Sequence, residues 1–143
     1  MTCRLIVCEK TNRWAMALRA ALGRSPLQVV ETRGLTACDA ALAEAPASLV
    51  AIEITAANLE PAVDFVVQAG RRFPRALFVA LVAEETADSE RLMQEAGAVD
   101  VIGSVLNAPR VARVARRHFA LAPPQELDVH ELVRQRMPWA AHA

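Results

Sequence analysis

The sequence predicts an α/β fold: a single (βα)5 domain in which helices wind over both faces of a five-stranded parallel sheet. Three observations point to it. Five short apolar runs recur along the 143 residues. Each is followed by a stretch in which apolar residues return every three or four positions, and Gly, Pro, Thr or Asn stands at the boundaries. Strict alternation with short turns brings right-handed crossovers and a doubly wound sheet.

The first run, "CRLIVC", reads as a strand. Thr11 is placed to cap a helix through Leu22, with Trp14, Leu18, Ala21 and Leu22 on one face and Gly23 as its stop. "LQVVE" at 27–31 is shorter and more polar, as an edge strand is, and Leu35, Cys38, Leu42 and Ala45 form a helical stripe that ends before Pro46. Strand 48–54, "SLVAIEI", leads to a helix over 59–72 that tolerates Pro61 in its first turn and turns Val63, Val66, Val67 and Gly70 inward. "RALFVALVA" is an unbroken apolar strand. Thr86 then caps a helix whose core face carries Leu92, Met93 and Ala96, closed by Gly97. "VDVIG" is the fifth strand, and Asn107 caps a helix over Pro109–Leu121.

In such sheets ligands sit at the carboxyl ends of the strands, near the point where strand order reverses. Those ends are Cys8-Glu9, Glu53, Val82-Ala83 and Ser104. Glu53 stands out, because a carboxylate beside Leu49-Val50-Ala51-Ile52 is costly unless it lies at an exposed strand end or has partners.

Composition bounds the function. With 54% hydrophobic residues, 22% charged and no net charge, the chain is neither a disordered segment nor a general nucleic-acid binder. A domain of this size buries roughly 70% of its unfolded surface and folds without metal or disulfide. Cys3, Cys8 and Cys38 are odd in number and lie within apolar segments, which favours a reducing compartment, and the expected location is the cytoplasm. No signal peptide is read at the N-terminus, and no apolar run reaches the roughly 18 residues of a membrane span.

The span from about Arg4 to Ala120 resembles the receiver domain of bacterial response regulators. The resemblance is carried by "LMQEAGAVDVIGS", by "SLVAIEI" followed by a helix, and by "RRFPRALFVALVA", in the family's order and spacing. It implies a flavodoxin-like sheet of strand order 2-1-3-4-5. Receivers hold magnesium with two acids after strand one, phosphorylate an aspartate after strand three, and sense it with a hydroxyl after strand four and a lysine after strand five. Carried over position by position, the acids fall on Cys8 and Glu9, the phospho-acceptor on Glu53, the hydroxyl on Val82 and the lysine on Ser104. Every one departs. Cys8 is a poor magnesium ligand, valine cannot bind a phosphoryl oxygen, and without the lysine no fixed cation offsets its charge. Glu53 offers about one negative charge against roughly −1.5 to −2 on a phosphorylated side chain.

The resulting expectation is a stand-alone degenerate receiver, a pseudo-receiver that serves two-component signalling or regulation as a phosphorylation-independent protein-interaction module. No enzymatic activity, metal or cofactor is expected. The alternative is a small-molecule or metal-binding regulatory domain using a Cys8/Glu9/Glu53 pocket. A third reading, a cysteine-dependent phosphatase, requires C-x5-R-S/T, whereas "CEKTNRW" spaces Cys8 and Arg13 as C-x4-R, puts Trp14 at the hydroxyl position and has Glu9 to repel phosphate. Cys8 itself is read as a small thiol filling a strand end or, against that, as a reactive one.

Partners are expected to be proteins: a signalling protein or a second copy, with membrane and nucleic acid disfavoured. Arg110, Arg113 and Arg117, with Arg116, form a basic stripe on the fifth helix. It is either a solvated face or a dimer face through helices four and five, pairing with Asp88, Glu90, Glu95 and Asp100 of another copy. The domain is assigned to residues 1–121 and a C-terminal extension to 122–143. In that extension Asp128 and Glu131 have capping-box spacing, and Val129, Leu132, Val133 and Met137 line one side of a short amphipathic helix, with Trp139 as an anchor. This sixth helix is expected to dock in cis or in trans.

Overall fold

A computed structural model describes residues 4–82 and 87–121. Its elements are β1 (Arg4–Cys8), α1 (Arg13–Leu22), β2 (Gln28–Thr32), α2 (Leu35–Glu44), β3 (Leu49–Ile54), α3 (Leu59–Arg72), β4 (Leu77–Val82), α4 (Ala87–Ala96), β5 (Asp100–Ile102), the 3-10 turn η1 (Val105–Asn107) and α5 (Ala108–Leu121). All strand pairs are parallel and the order is β2-β1-β3-β4-β5. That is the expected (βα)5 arrangement, with the polar β2 at one edge.

Side chains alternate across a strand, so a sheet covered on both faces needs apolar residues at nearly every position. Ile6, Cys8, Val50, Ile52, Ile54, Phe78, Ala80 and Val82 pack on one side with Cys38 and Leu42 of α2, Ala62, Val66 and Ala69 of α3, and Met93 of α4. Leu5, Val7, Leu49, Ala51, Val79 and Leu81 face the other side and meet Trp14, Leu18 and Leu22 of α1 and Val111, Ala112 and Ala115 of α5. Removing one such Leu costs about 2–5 kcal/mol, the lost transfer energy plus the cavity.

Polar ties hold the helices in register. Arg116 donates to the Ala21 and Leu22 carbonyls at 3.1 and 3.2 Å, placing a cation at the negative end of α1. Glu31 bridges Arg19 and Arg33 at 2.8 and 3.1 Å, and the two guanidiniums hold its carboxyl below the usual range. Gly23, at φ 57, ends α1 with its N–H on the Arg19 carbonyl, a conformation costly for a residue with a Cβ.

Several expected details differ. On α3 the buried stripe is Ala62, Val66 and Ala69 instead of Val63, Val66, Val67 and Gly70. Leu92 is exposed on α4, while Met93 is buried. Asn107 ends η1 instead of capping α5, because Ser104 accepts the Leu106 N–H at 3.2 Å and starts the 3-10 turn first. The Thr86 cap, Ala83, Cys3 and the tail helix lie outside the described residues.

Candidate functional site

The strand-end residues gather at the carboxyl edge, where β1 and β3 are adjacent and the chain order reverses. Cys8 pairs in register with Thr32 on one side and Ile52 on the other; Glu53 pairs with Leu81, and Ile54 with Val82. The five positions are therefore neighbours along one edge. Their side chains do different things.

Glu9 follows β1, continues its ladder by donating its N–H to the Thr32 carbonyl at 3.1 Å, and is 2% exposed. Its carboxylate folds back onto the start of α1. Trp14 donates its backbone N–H to Oε1 at 3.0 Å, Ala15 donates to Oε2 at 2.8 Å, and the Thr11 hydroxyl adds a longer contact of 3.4 Å to Oε1. The first N–H groups of a helix lack intrahelical acceptors and carry partial positive charge, so a buried carboxylate is well placed there. This corrects the expected cap. Thr11 makes only a 3.4 Å contact with the Arg13 N–H, Asn12 makes no side-chain cap, and Glu9 does the capping from outside the helix. Both oxygens of the expected metal ligand are thus engaged within the chain.

Cys8 faces α2. Cys38 of α2 lies in the same buried cluster, and Cys8 pairs in register with Thr32 of β2. The nearby Cys38 lowers the Cys8 pKa, against burial and the charges of Glu53 and Glu9, while Cys38 is pushed above the ordinary thiol range. Glu53 is half-buried. Its carbonyl accepts Asn58 Nδ2 at 2.7 Å, and Asn58 Oδ1 accepts the Thr55 N–H at 2.6 Å, so one asparagine pins the β3–α3 turn. No donor meets the Glu53 carboxylate among the described residues. Val82 is buried among apolar neighbours, and the Ser104 hydroxyl is committed to η1.

Among the described residues no three His, Cys, Asp or Glu side chains are placed to share a metal ion. A groove of about 270 Å³ is lined by Arg19, Leu22, Gly23, Ser25, Leu27 and Val29, away from Cys8, Glu9 and Glu53. A phosphatase would aim the α1 N–H groups at its phosphate, but those of Trp14 and Ala15 already bind Glu9. On α5, Arg110 pairs with Asp100 of its own chain at 2.6 Å, and Arg116 donates to the Ala21 carbonyl of α1 at 3.1 Å. Arg113 and Arg117 are exposed with no acidic partner among the described residues.

The strand order and the edge that collects these residues define a doubly wound α/β domain of receiver type. No protein-family model and no curated protein sequence matches the chain. Solved structures do. A response regulator from Thermotoga maritima superposes with a TM-score of 0.73 at 18% identity, covering 84% of this chain and 99% of that one. A CheY-like protein, tadZ, from Pseudomonas aeruginosa gives 0.69 at 22% identity over 86% and 98% of the two chains. An atypical orphan response regulator, described as having a phosphorylation-independent regulatory mechanism, gives 0.65 at 17% over 80% and 95%. The chain has the receiver fold across nearly all its described residues.

Proposed function

We propose that this chain is a degenerate receiver, acting without phosphoryl transfer as a protein-interaction module in bacterial signalling or regulation. One observation carries the reading: the groups at the phosphorylation edge are replaced and already in use. Glu9 caps α1, Ser104 starts η1, and Val82 and Cys8 are packed in the core. With Val82 at the family's hydroxyl position and Ser104 at its lysine position, neither position supplies the hydroxyl or the cation that would stabilise charge developing in transfer to Glu53. The phosphorylation-independent orphan regulator, whose fold is similar, lends support. The interaction role rests on α4, β5 and α5, around which Leu92, Val99 and Leu106 are 41%, 52% and 86% exposed, beside Arg113 and Arg117. Apolar residues grouped with charges on one surface suit a protein partner. The compartment proposed is the cytoplasm; no described helix is long and apolar enough to cross a membrane.

Incubated with magnesium and a small acyl phosphate, the protein is expected to keep its unmodified intact mass. A phosphoryl adduct that disappears in Glu53→Ala would falsify the reading.

A further inference from the structure

We propose that the groove between the end of α1 and β2 is the docking site for the chain's own C-terminal segment, residues 128–137, folded back in cis. Leu22 and Gly23 at the end of α1 line it together with Leu27 and Val29 at the start of β2, and Arg19 and Ser25 complete the walls of a space of about 270 Å³. β2 is an edge strand, and Leu27 and Val29 are only partly buried against the α1-side core. Their remaining apolar surface opens into the groove.

The occupant follows from where the chain goes next. Arg116 of α5 donates to the Ala21 and Leu22 carbonyls, and Phe119 packs on the same core cluster as Leu27 and Val29. α5 ends at Leu121, about 7.5 Å along its axis from Arg116, so residues 122–143 depart beside the groove. Residues 122–127 contain Pro123 and Pro124, which favour extended backbone, and span at most about 20 Å. Packed helices lie roughly 8–10 Å apart, so that span suffices to pass the end of α1 and enter the groove. The following stretch complements what it meets. Val129, Leu132, Val133 and Met137 form an apolar stripe to set against Leu22, Leu27 and Val29. Glu126, Asp128 and Glu131 lead into it, and Arg24, between Gly23 and Ser25 at the groove's rim, is exposed with no acidic partner among the described residues. A short tether raises the effective concentration to the millimolar range, so at micromolar protein the chain's own segment outcompetes that of a second copy.

The test uses the full chain. A photoreactive benzoylphenylalanine in place of Met137 is activated in an equal mixture of unlabelled and heavy-isotope protein, and the cross-linked peptides are mapped. The expected product joins the tail to the segment 19–29, with both halves from one chain. Cross-links to another face, or products of mixed isotope, would overturn the proposal. Amide hydrogen exchange supplies the second measurement, on the wild type and on Leu132→Asp combined with Val133→Asp, two changes outside the receiver fold. A site held closed about ten to one exchanges only while open, so the variant is expected to exchange about tenfold faster across residues 22–29 and unchanged in the other strands. Unaltered exchange at 22–29, or a change confined to α4 and β5, would also overturn it. The exchange comparison decides by itself if the Met137 probe yields no cross-link.

Discussion

Glu9 shows how one side chain at the carboxyl edge can be committed to the fold. A carboxyl group that is 2% exposed is tolerable because backbone N–H groups of Trp14 and Ala15 bind both its oxygens at the positive end of α1. Truncation leaves those donors buried without acceptors, so Glu9→Ala is expected to lower unfolding stability by on the order of 2 kcal/mol. Glu9→Gln keeps one acceptor oxygen and should lose roughly half as much. Urea unfolding of the three proteins checks this, and an alanine variant within about 0.5 kcal/mol of the parent would dismiss the cap. The residues at the carboxyl edge were legible from the order of apolar runs, since each run's end marks the edge. The occupation of Glu9 was not, because it depends on how residues 9–13 turn and aim N–H groups five and six positions further on. Likewise, the burial of Cys8 and Cys38 in one cluster depends on how α2 lies across the sheet, which no local pattern encodes. The nearest clue was that both cysteines fall on apolar stripes.

At the scale of elements, apolar runs bounded by turn residues located all five strands, since a strand covered on both faces has no polar side to blur the pattern. Helix faces were harder to read. On α3 Ala62, Val66 and Ala69 lie inward, while Val63 and Val67 are only partly buried. Leu92 is apolar yet exposed, and Leu106 protrudes from η1, so helical period alone overstates the core around α4 and β5. These exposed residues are where the proposed self-association can be tested. Arg110 and Asp100 already neutralise each other, which leaves Arg113 and Arg117 to meet the exposed Asp88, Glu90 and Glu95 of a second copy. In a two-fold dimer each reversed charge acts twice, and exposed pairs contribute about 0.2–1 kcal/mol, so Arg113→Glu should weaken association by about tenfold. Sedimentation at low salt is expected to show the variant shifted to monomer, with added salt moving the wild type the same way. Monomers throughout the micromolar range would leave the stripe as a solvated face.

For the whole molecule, the open question is how residues 122–143, beyond the receiver fold, relate to residues 1–121. The extension lies outside the described residues, but its sequence constrains what it can do. Val129, Leu132, Val133 and Met137 recur at helical spacing between the capping pair Asp128 and Glu131 and the stop at Pro138. A helix this short is marginal alone in water, since nucleation is costly and few hydrogen bonds follow. Each large apolar side chain it buries contributes about 1.5–3 kcal/mol, so docking against its own domain or a second copy is what would make it form. Deleting residues 123–143 is therefore expected to lower the melting temperature or change the oligomeric state. Tryptophan fluorescence supplies an independent readout. Trp14 is 4% exposed inside the core, so any fluorescence readily quenched by acrylamide in the native protein belongs to Trp139. A docked tail predicts that both tryptophans are shielded and that urea unfolding exposes them together. If truncation alters neither property and half the emission quenches as in a free peptide, the tail does not dock. The extension would then be a segment available to another partner.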